Sequence, residues 1–521
     1  MSAARSGWRR SAAVCASAAL ALLAAACAGP TRSPIAFDRD RGGQVLDVAF
    51  QNIRDKYIDP VPMSTVAEDA LHRLSDIDPA LAVEADGTSL TLSDDGRTLA
   101  QAPLPDDDDA EGWAEVAANF VVAAETKSKA LAEAPAETVY SELMRGALKP
   151  LDPLSRYADA RRAARQRAAR EGYGGIGVQI AMTPRGAVIS SVSADTPAAG
   201  AALRAGDVIL RIDGDDVRRM DDQEAAQRLR GRVGSVVRLG VAPTGAAGPT
   251  DVLLRRTLIV PDTVRLDMVG DIALIRITSF NHGTAVSLAR AIRDARHESR
   301  DRLKGIILDL RGNPGGLLDQ AVAVADVFLE SGRIVSARGR HPDSFQLFDA
   351  TGPDIAHGAP LVILVDGGSA SSSEIVTAAL QDRGRAVVVG SNSYGKGSVQ
   401  NIVRLPNDGE LALTWARLYA PSGYSFDGLG ILPNVCTSQS QASGDTVLAR
   451  IARGEITNAL RLAAWRTADA LDNAQRQALE RTCPKVRGDR AVDLEVAEGL
   501  LKNQKLYARA LSLAVQTDEA P

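Results

Sequence analysis

Four short apolar runs, Ile272-Ala273-Leu274-Ile275-Arg276-Ile277, Gly305-Ile306-Ile307-Leu308-Asp309-Leu310, Leu361-Val362-Ile363-Leu364-Val365 and Ala386-Val387-Val388-Val389, constrain the fold more than any other feature of the chain. Short runs rich in β-branched residues with little polar alternation suit strands covered on both faces. Between them, residues 286–297, 317–330 and 372–383 repeat their apolar positions at helical spacing. Strands alternating with helices predict an α/β core with helices packed over a largely parallel sheet. Sites in such cores form where strands end. Three turns fall there: Arg311-Gly312-Asn313-Pro314-Gly315-Gly316, Ser369-Ala370-Ser371-Ser372-Ser373-Glu374 and Gly395-Lys396-Gly397.

At 521 residues the chain is too long for one ordinary core, and 45% apolar residues suit globular packing rather than disorder. Lys plus Arg (60) nearly balances Asp plus Glu (65), and no basic stripe is interleaved with aromatics, which argues against nucleic acid as a partner. Five scattered histidines, with neither a C-x-x-C nor an H-E-x-x-H pattern, predict no metal and no cofactor.

The first residues have the pattern of an export signal, with Arg5, Arg9 and Arg10 before an apolar run from Ala12 to Ala26. Leu22-Leu23-Ala24-Ala25-Ala26-Cys27 resembles a bacterial lipoprotein cleavage box and makes Cys27 the candidate acylated residue, with a membrane as its partner; plain signal cleavage is the alternative. Export to an oxidising compartment makes a disulfide between Cys436 and Cys483 an expectation, against two buried thiols. Residues 28–171 are expected to be mostly helical. Trp113, Val116, Ala117, Phe120, Val121 and Ala124 form a packing face, residues 89–99 a small hairpin, and Asp106–Asp109 a solvated loop.

The turn Ser371-Ser372-Ser373-Glu374 opens a helix, and Lys396 stands alone in a glycine turn. Together they supply a nucleophile and a base if folding joins them. A serine in the first helical turn lies among unpaired N–H groups at the positive end of the helix dipole, where an oxyanion is stabilised. A lysine acts as base only when neutral, so its pKa must fall from about 10.4 by burial. Gln400 can accept a hydrogen bond from that amine. Ser371-x-x-Glu374 is equally a capping box, which would close the helix and catalyse nothing.

Between residues 172 and 258 the sequence resembles a PDZ domain. Gly174-Gly175-Ile176-Gly177-Val178-Gln179-Ile180 supplies the glycine loop and the following strand, and Leu203-Arg204-Ala205-Gly206-Asp207-Val208-Ile209 the second signature. The resemblance implies that Gly175, Ile176 and Gly177 face a peptide's terminal carboxylate while Val178 and Ile180 line its groove. With Gly146–Ser155, the three turns, Ala412-Leu413-Thr414 and Gly430-Ile431-Leu432-Pro433, the chain from about 146 to 435 resembles the C-terminal (tail-specific) processing peptidases. The resemblance implies a crotonase-like or ClpP-like spiral α/β core over 259–436. It implies an exported serine endopeptidase acting near protein C-termini, with nucleophile Ser371, base Lys396, orienting Gln400, and an oxyanion hole from the Gly316 and Ser372 backbones. The spacings 396 − 371 = 25 and 400 − 396 = 4 agree with the family pattern. Ser372 and Asn434 depart from its usual alanine and aspartate. The implied partners are protein or peptide substrates with free apolar C-termini; an adaptor or activator and a homo-oligomer are left open.

Two other classes compete. A periplasmic PDZ adapter would carry an inactive core. A nucleotide-binding protein would use residues 390–397 as a phosphate loop with Asp309 on the acidic strand, although Gly397 replaces the metal-binding hydroxyl and Val399–Val403 reads as extended where a phosphate loop opens a helix. Residues 437–521 are expected to form amphipathic helices that pack on the core or on another subunit.

Overall fold

The computed structural model describes residues 36–245, 248–439, 443–455, 459–467 and 473–512. The signal segment and Cys27 lie outside the described residues. No helix among those described is long and apolar enough to cross a membrane. The described chain divides into two units, the smaller formed by residues 36–54, 61–152 and 405–407.

In the smaller unit, helices Met63–His72, Ala110–Glu125 and Ala136–Ala147 and most of Arg39–Lys56 accompany an antiparallel meander, Leu81–Ala85, Ser89–Asp94 and Arg97–Pro103. The meander extends the expected hairpin by a strand. Trp113, Ala117, Phe120, Val121 and Ala124 are buried as the helical spacing requires, and Val116 is half-buried at the margin of that face. Asp109 ends the acidic loop as a helix cap, its carboxylate accepting from the Gly112 N–H at 2.9 Å.

The larger unit carries the PDZ fold and an α/β core. The PDZ sheet ends on strand Val178–Thr183, which pairs on one side only, with Gly186–Val192. Its core buries Ile176, Ile189, Ile209, Leu239 and Val241.

The central sheet runs in the order Val264–Val269, Ile272–Ile277, Gly305–Asp309, Leu361–Val365, Ala386–Gly390, Val435–Cys436. The first pair is antiparallel and every later pair parallel. A second, antiparallel sheet joins Gln346–Ala350, Gly332–Arg338, Glu410–Tyr419 and Ser398–Arg404, with Arg156–Ala158 added on Glu410–Tyr419. Of these strands, the sequence marks only the extended stretch Val399–Val403, which falls within Ser398–Arg404.

Period-two alternation divides the central strands between two cores. Ile306, Leu308, Ile363, Val365 and Val388 face helices Thr284–Glu298, Leu318–Asp326 and Ser372–Asp382. Ile307, Val362, Leu364, Val387 and Val389 face Val447, Ile451, Val496, Leu500 and Leu501 from the C-terminal helices. The C-terminal region therefore covers one face of the sheet. Each of these fully buried side chains contributes roughly 1.5–3 kcal/mol relative to exposure.

Asn434 ties the layers together. Its Oδ1 accepts from Gln381 Nε2 at 3.0 Å and from the Val388 N–H at 2.9 Å, while its Nδ2 donates to Ala510 O at 3.3 Å. An aspartate could not make the last bond, which gives the asparagine a structural reason in this chain.

Cys436, on the last strand, is bonded to Cys483 (S–S 2.07 Å, Cα–Cα 6.0 Å), closing a sequence separation of 47 residues. Chain-entropy arithmetic for a loop of that size gives about 4 kcal/mol. Reduction, or paired Cys436→Ser and Cys483→Ser substitution, is expected to lower the urea-unfolding free energy of the larger unit by about 3–4 kcal/mol. Equal midpoints for oxidised and reduced protein would contradict this.

Candidate active site

Strand Leu361–Val365 delivers the chain into a turn built around one carboxylate. Asp366 Oδ1 accepts from the N–H groups of Gly312 (2.8 Å) and Gly368 (2.9 Å), and Ser369 Oγ donates to Leu310 O at 2.8 Å. The turn ends at Ser371, whose backbone stands at φ 54°, ψ −113°. A non-glycine residue there costs about 1–3 kcal/mol and is retained only where its surroundings fix it. Ser371 is half-buried, whereas the helix it opens is buried from Ser372 to Gln381.

Glu374 fixes that turn. Its side chain is fully buried. Oε2 accepts from the backbone N–H groups of Ser371 and Lys396, both at 2.8 Å, and Oε1 from Ser393 Oγ (2.5 Å) and the Gly395 N–H (2.6 Å). The bond to Ser371 is half of the capping box expected from the sequence. The same carboxylate also holds the lysine turn, so capping and site assembly are one interaction. Burial pushes the Glu374 carboxyl above its ordinary 4.5, opposed by the four donors.

The glycine turn Arg311–Gly316 forms the facing wall. Arg311 is buried, chelates Asp309 through Nε and Nη2 (both 2.9 Å) and donates to Arg490 O at 3.0 Å. Gly316, at φ 157°, has no room for a Cβ, which would lie 2.1 Å from Phe280 O. A Cβ on Gly315 would lie 2.9 Å from Ser371 Cβ, so glycine permits the two turns to approach. Ser372 Oγ donates to Gly316 O at 3.0 Å. The serine that departs from the family's alanine thus links the two backbones expected to form an oxyanion hole. Among the described residues, neither the Gly316 nor the Ser372 N–H has a protein acceptor.

Ser371, Ser372, Gly316, Lys396 and Gln400 all line one open cavity of about 410 Å³. Gln400 Nε2 donates to Ser398 Oγ (3.1 Å) and Thr414 Oγ1 (3.2 Å), leaving its carbonyl oxygen as the acceptor.

Beyond Lys396 the chain enters strand Ser398–Arg404, where a phosphate loop would open a helix, and the Asp309 carboxylate is occupied by Arg311. Both features oppose the nucleotide reading.

Residues after Cys483 brace the turns from behind. Val486 O accepts from the Gly367 N–H (2.8 Å) and Ser391 Oγ (3.0 Å), Lys485 Nζ donates to Tyr394 O (2.9 Å), and the Gly488 N–H donates to Asp366 Oδ2 (2.8 Å). Neither this brace nor the second role of Glu374 was found from the sequence. Glu374 was visible only as a capping partner.

In the PDZ fold, Gly175, Ile176, Gly177, Val178 and Ile180 line a second cavity of about 500 Å³, walled by Asp222, Ala226 and Leu229 of helix Asp222–Leu229. Gly177 stands at φ 83°, and a Cβ there would lie 2.3 Å from Thr196. Ile176 is also part of the domain's buried core.

Residues 271–437 match the model of peptidase family S41, and residues 166–242 that of the PDZ domain. The carboxy-terminal-processing protease of Bartonella bacilliformis is 43% identical over 296 residues, covering 56% of this chain and 68% of that one. A carboxyl-terminal-processing protease of a Picosynechococcus is 34% identical over 276 residues, covering 51% and 64%. A solved photosystem II D1 C-terminal processing protease is 22% identical, with 75% of this chain and 92% of that one covered and a TM-score of 0.39. A mixed α/β catalytic domain, a PDZ domain and helical termini define a PDZ-bearing peptidase. The chain belongs to peptidase family S41, the carboxy-terminal-processing proteases, and is a serine-type endopeptidase.

Glu374→Gln tests the clamp. Glutamine offers one acceptor oxygen where the carboxylate offers two, so its amide must face at least one backbone N–H, at a cost of about 1–3 kcal/mol. The variant is expected to lose that much stability in urea and at least ten-fold in turnover. Folded Glu374 binds its proton at a higher pH than the unfolded chain does. This group's contribution to stability is therefore full below about pH 4.5 and is lost as pH rises through the raised folded value. Unchanged turnover and an unchanged stability-against-pH slope in the variant would show that the clamp is dispensable.

Proposed function

We propose that Ser371 is the nucleophile and Lys396 its general base, with Gln400 orienting the amine and the Gly316 and Ser372 N–H groups receiving the oxyanion. The observation that carries this reading is the single cavity lined by all five residues. Neutral Lys396 takes the Ser371 proton as Oγ attacks the peptide carbonyl carbon. Negative charge on the carbonyl oxygen is received by these two N–H donors; losing one such donor costs about 2.7–4 kcal/mol in acyl transfer. The lysine ammonium then protonates the leaving amine; the neutral lysine so restored takes a proton from water as that water attacks the acyl carbon, and passes it to Ser371 Oγ as the acyl group leaves.

The PDZ groove selects the substrate. An edge strand beside a glycine loop suits β-augmentation by an extended peptide with a free C-terminus, and the Val178 and Ile180 side chains favour an apolar terminal residue. The boundaries 172–258 for this domain and 259–436 for a crotonase-like catalytic core belong to the same reading, supported by the element order. The N-terminal sequence supports export to the periplasm or the outer face of a membrane, with lipid on Cys27. An unmodified N-terminus in the intact mass of mature protein would remove the anchor.

Peptide hydrolysis with PDZ binding as the folding control tests the chemistry. Ser371→Ala and Lys396→Ala are expected to lose at least 10³-fold in kcat while still capturing peptide. Lys396→Arg keeps charge and length but cannot accept a proton, so it should be equally inactive. Wild-type rates should rise with pH through the lysine's folded-state pKa. Near-normal hydrolysis by folded Lys396→Arg would end the general-base role, and full activity in Ser371→Ala would end the nucleophile role.

A further inference from the structure

The catalytic cavity has a charge pattern that peptide-bond hydrolysis does not require. Its wall carries Arg156, Arg170 and Lys396, and no aspartate or glutamate among the described residues. Two of these cations have assigned tasks: Lys396 is the proposed base, and Arg170 Nη2 donates to both oxygens of Glu410 (2.9 and 3.1 Å), a carboxylate it shares with Arg167 (3.0 Å). Arg156 differs. Among the described residues its guanidinium makes one hydrogen bond, from Nη1 to Leu154 O at 3.1 Å, and has no carboxylate within ion-pair distance. Partial desolvation, then the neighbouring charges of Arg162 and Arg170, push its guanidinium below the ordinary value although the side chain opens to solvent.

A short strand fixes where this arginine stands. Arg156 pairs with Ala412, and Ala412 on its other side pairs with Ile402, which also lines the cavity. Arg156 and Ile402 therefore share one cross-strand row, and Gln400 lies two residues along the same strand. With strands about 4.8 Å apart, the row spans roughly 10 Å. That is a few residues of an extended substrate, which rises about 3.3 Å per residue. A guanidinium presents a planar fork of donors suited to a carboxylate.

We infer that Arg156 is a specificity determinant of the catalytic cavity that binds a carboxylate of the substrate. The inference rests on the reading of the cavity as the proteolytic site. The carboxylate comes either from an Asp or Glu side chain within about three residues of the scissile bond or from the substrate's own C-terminus. Arg156 takes no part in bond breaking. It acts on which sequences are held across Ser371.

The test uses full-length protein and a peptide series with Glu, Gln or Lys at each of the three positions on either side of the cleaved bond. Each peptide is made as the free acid and as the C-terminal amide. Wild type is expected to prefer Glu over Gln at one position by about five- to ten-fold in kcat/KM, mainly through KM, with the preference shrinking as salt is raised. Arg156→Gln should bring that ratio to about one, and Arg156→Glu should reverse it in favour of Lys at the same position. Loss of packing alone would not produce that reversal. If the Arg156-dependent preference instead follows the free acid over the amide, whatever the side chains, the bound carboxylate is the terminal one.

A wild-type ratio near one for every carboxylate, or a preference that survives intact in Arg156→Gln, would overturn the inference. Thermal unfolding and PDZ peptide binding verify folding of the variants. Failure of the underlying reading has a different signature, since Ser371→Ala would then hydrolyse these peptides as fast as wild type.

Discussion

A buried carboxylate with four donors around it is the interaction on which the site depends. Glu374 joins Ser371, held in an unfavourable backbone conformation, to the turn that carries Lys396. Burying a carboxylate is costly, and here the cost is partly offset by hydrogen bonds on both oxygens. Helix capping usually stabilises only the helix to which it belongs. In this chain the cap reaches 22 residues further on, to the Lys396 N–H, so the local stability of one helix end and the mutual placement of two candidate catalytic groups are a single energetic term.

The central sheet explains why that term can be maintained. Its strands are covered on both faces, and the second cover comes from helices that begin after the last strand. From the same C-terminal region, the segment following Cys483 hydrogen-bonds the backbones of Gly367 and Tyr394 and the Ser391 hydroxyl. The Cys436–Cys483 bond anchors the start of that segment to the edge of the sheet. Rigidity at the turns thus depends on chain distant in sequence, the support that a preorganised oxyanion site requires.

Much of this architecture was legible because it is local. Leu361–Val365 and Ile272–Ile277 occur as expected from their apolar runs, and helix Ser372–Asp382 ends one residue short of expectation. The Ser371, Lys396 and Gln400 spacing pointed to one cavity because strand ends and glycine turns are readable in sequence. The antiparallel sheet was largely missed because its strands are stabilised by partners far away: Arg156–Ala158 is a strand only because Glu410–Ala412 lies beside it. Glu374 has an unambiguous local role that hid its long-range one. Arg156 carried no sequence signal, since its meaning lies in the missing counter-charge.

The most direct measurement is covalent labelling with a serine-directed fluorophosphonate, followed by peptide mapping and repeated from acidic to alkaline pH. The account predicts modification at Ser371, at a rate that rises with pH in wild type and collapses in folded Lys396→Ala. Labelling at another residue, or equal labelling of Ser371 in the absence of the Lys396 amine, would contradict it.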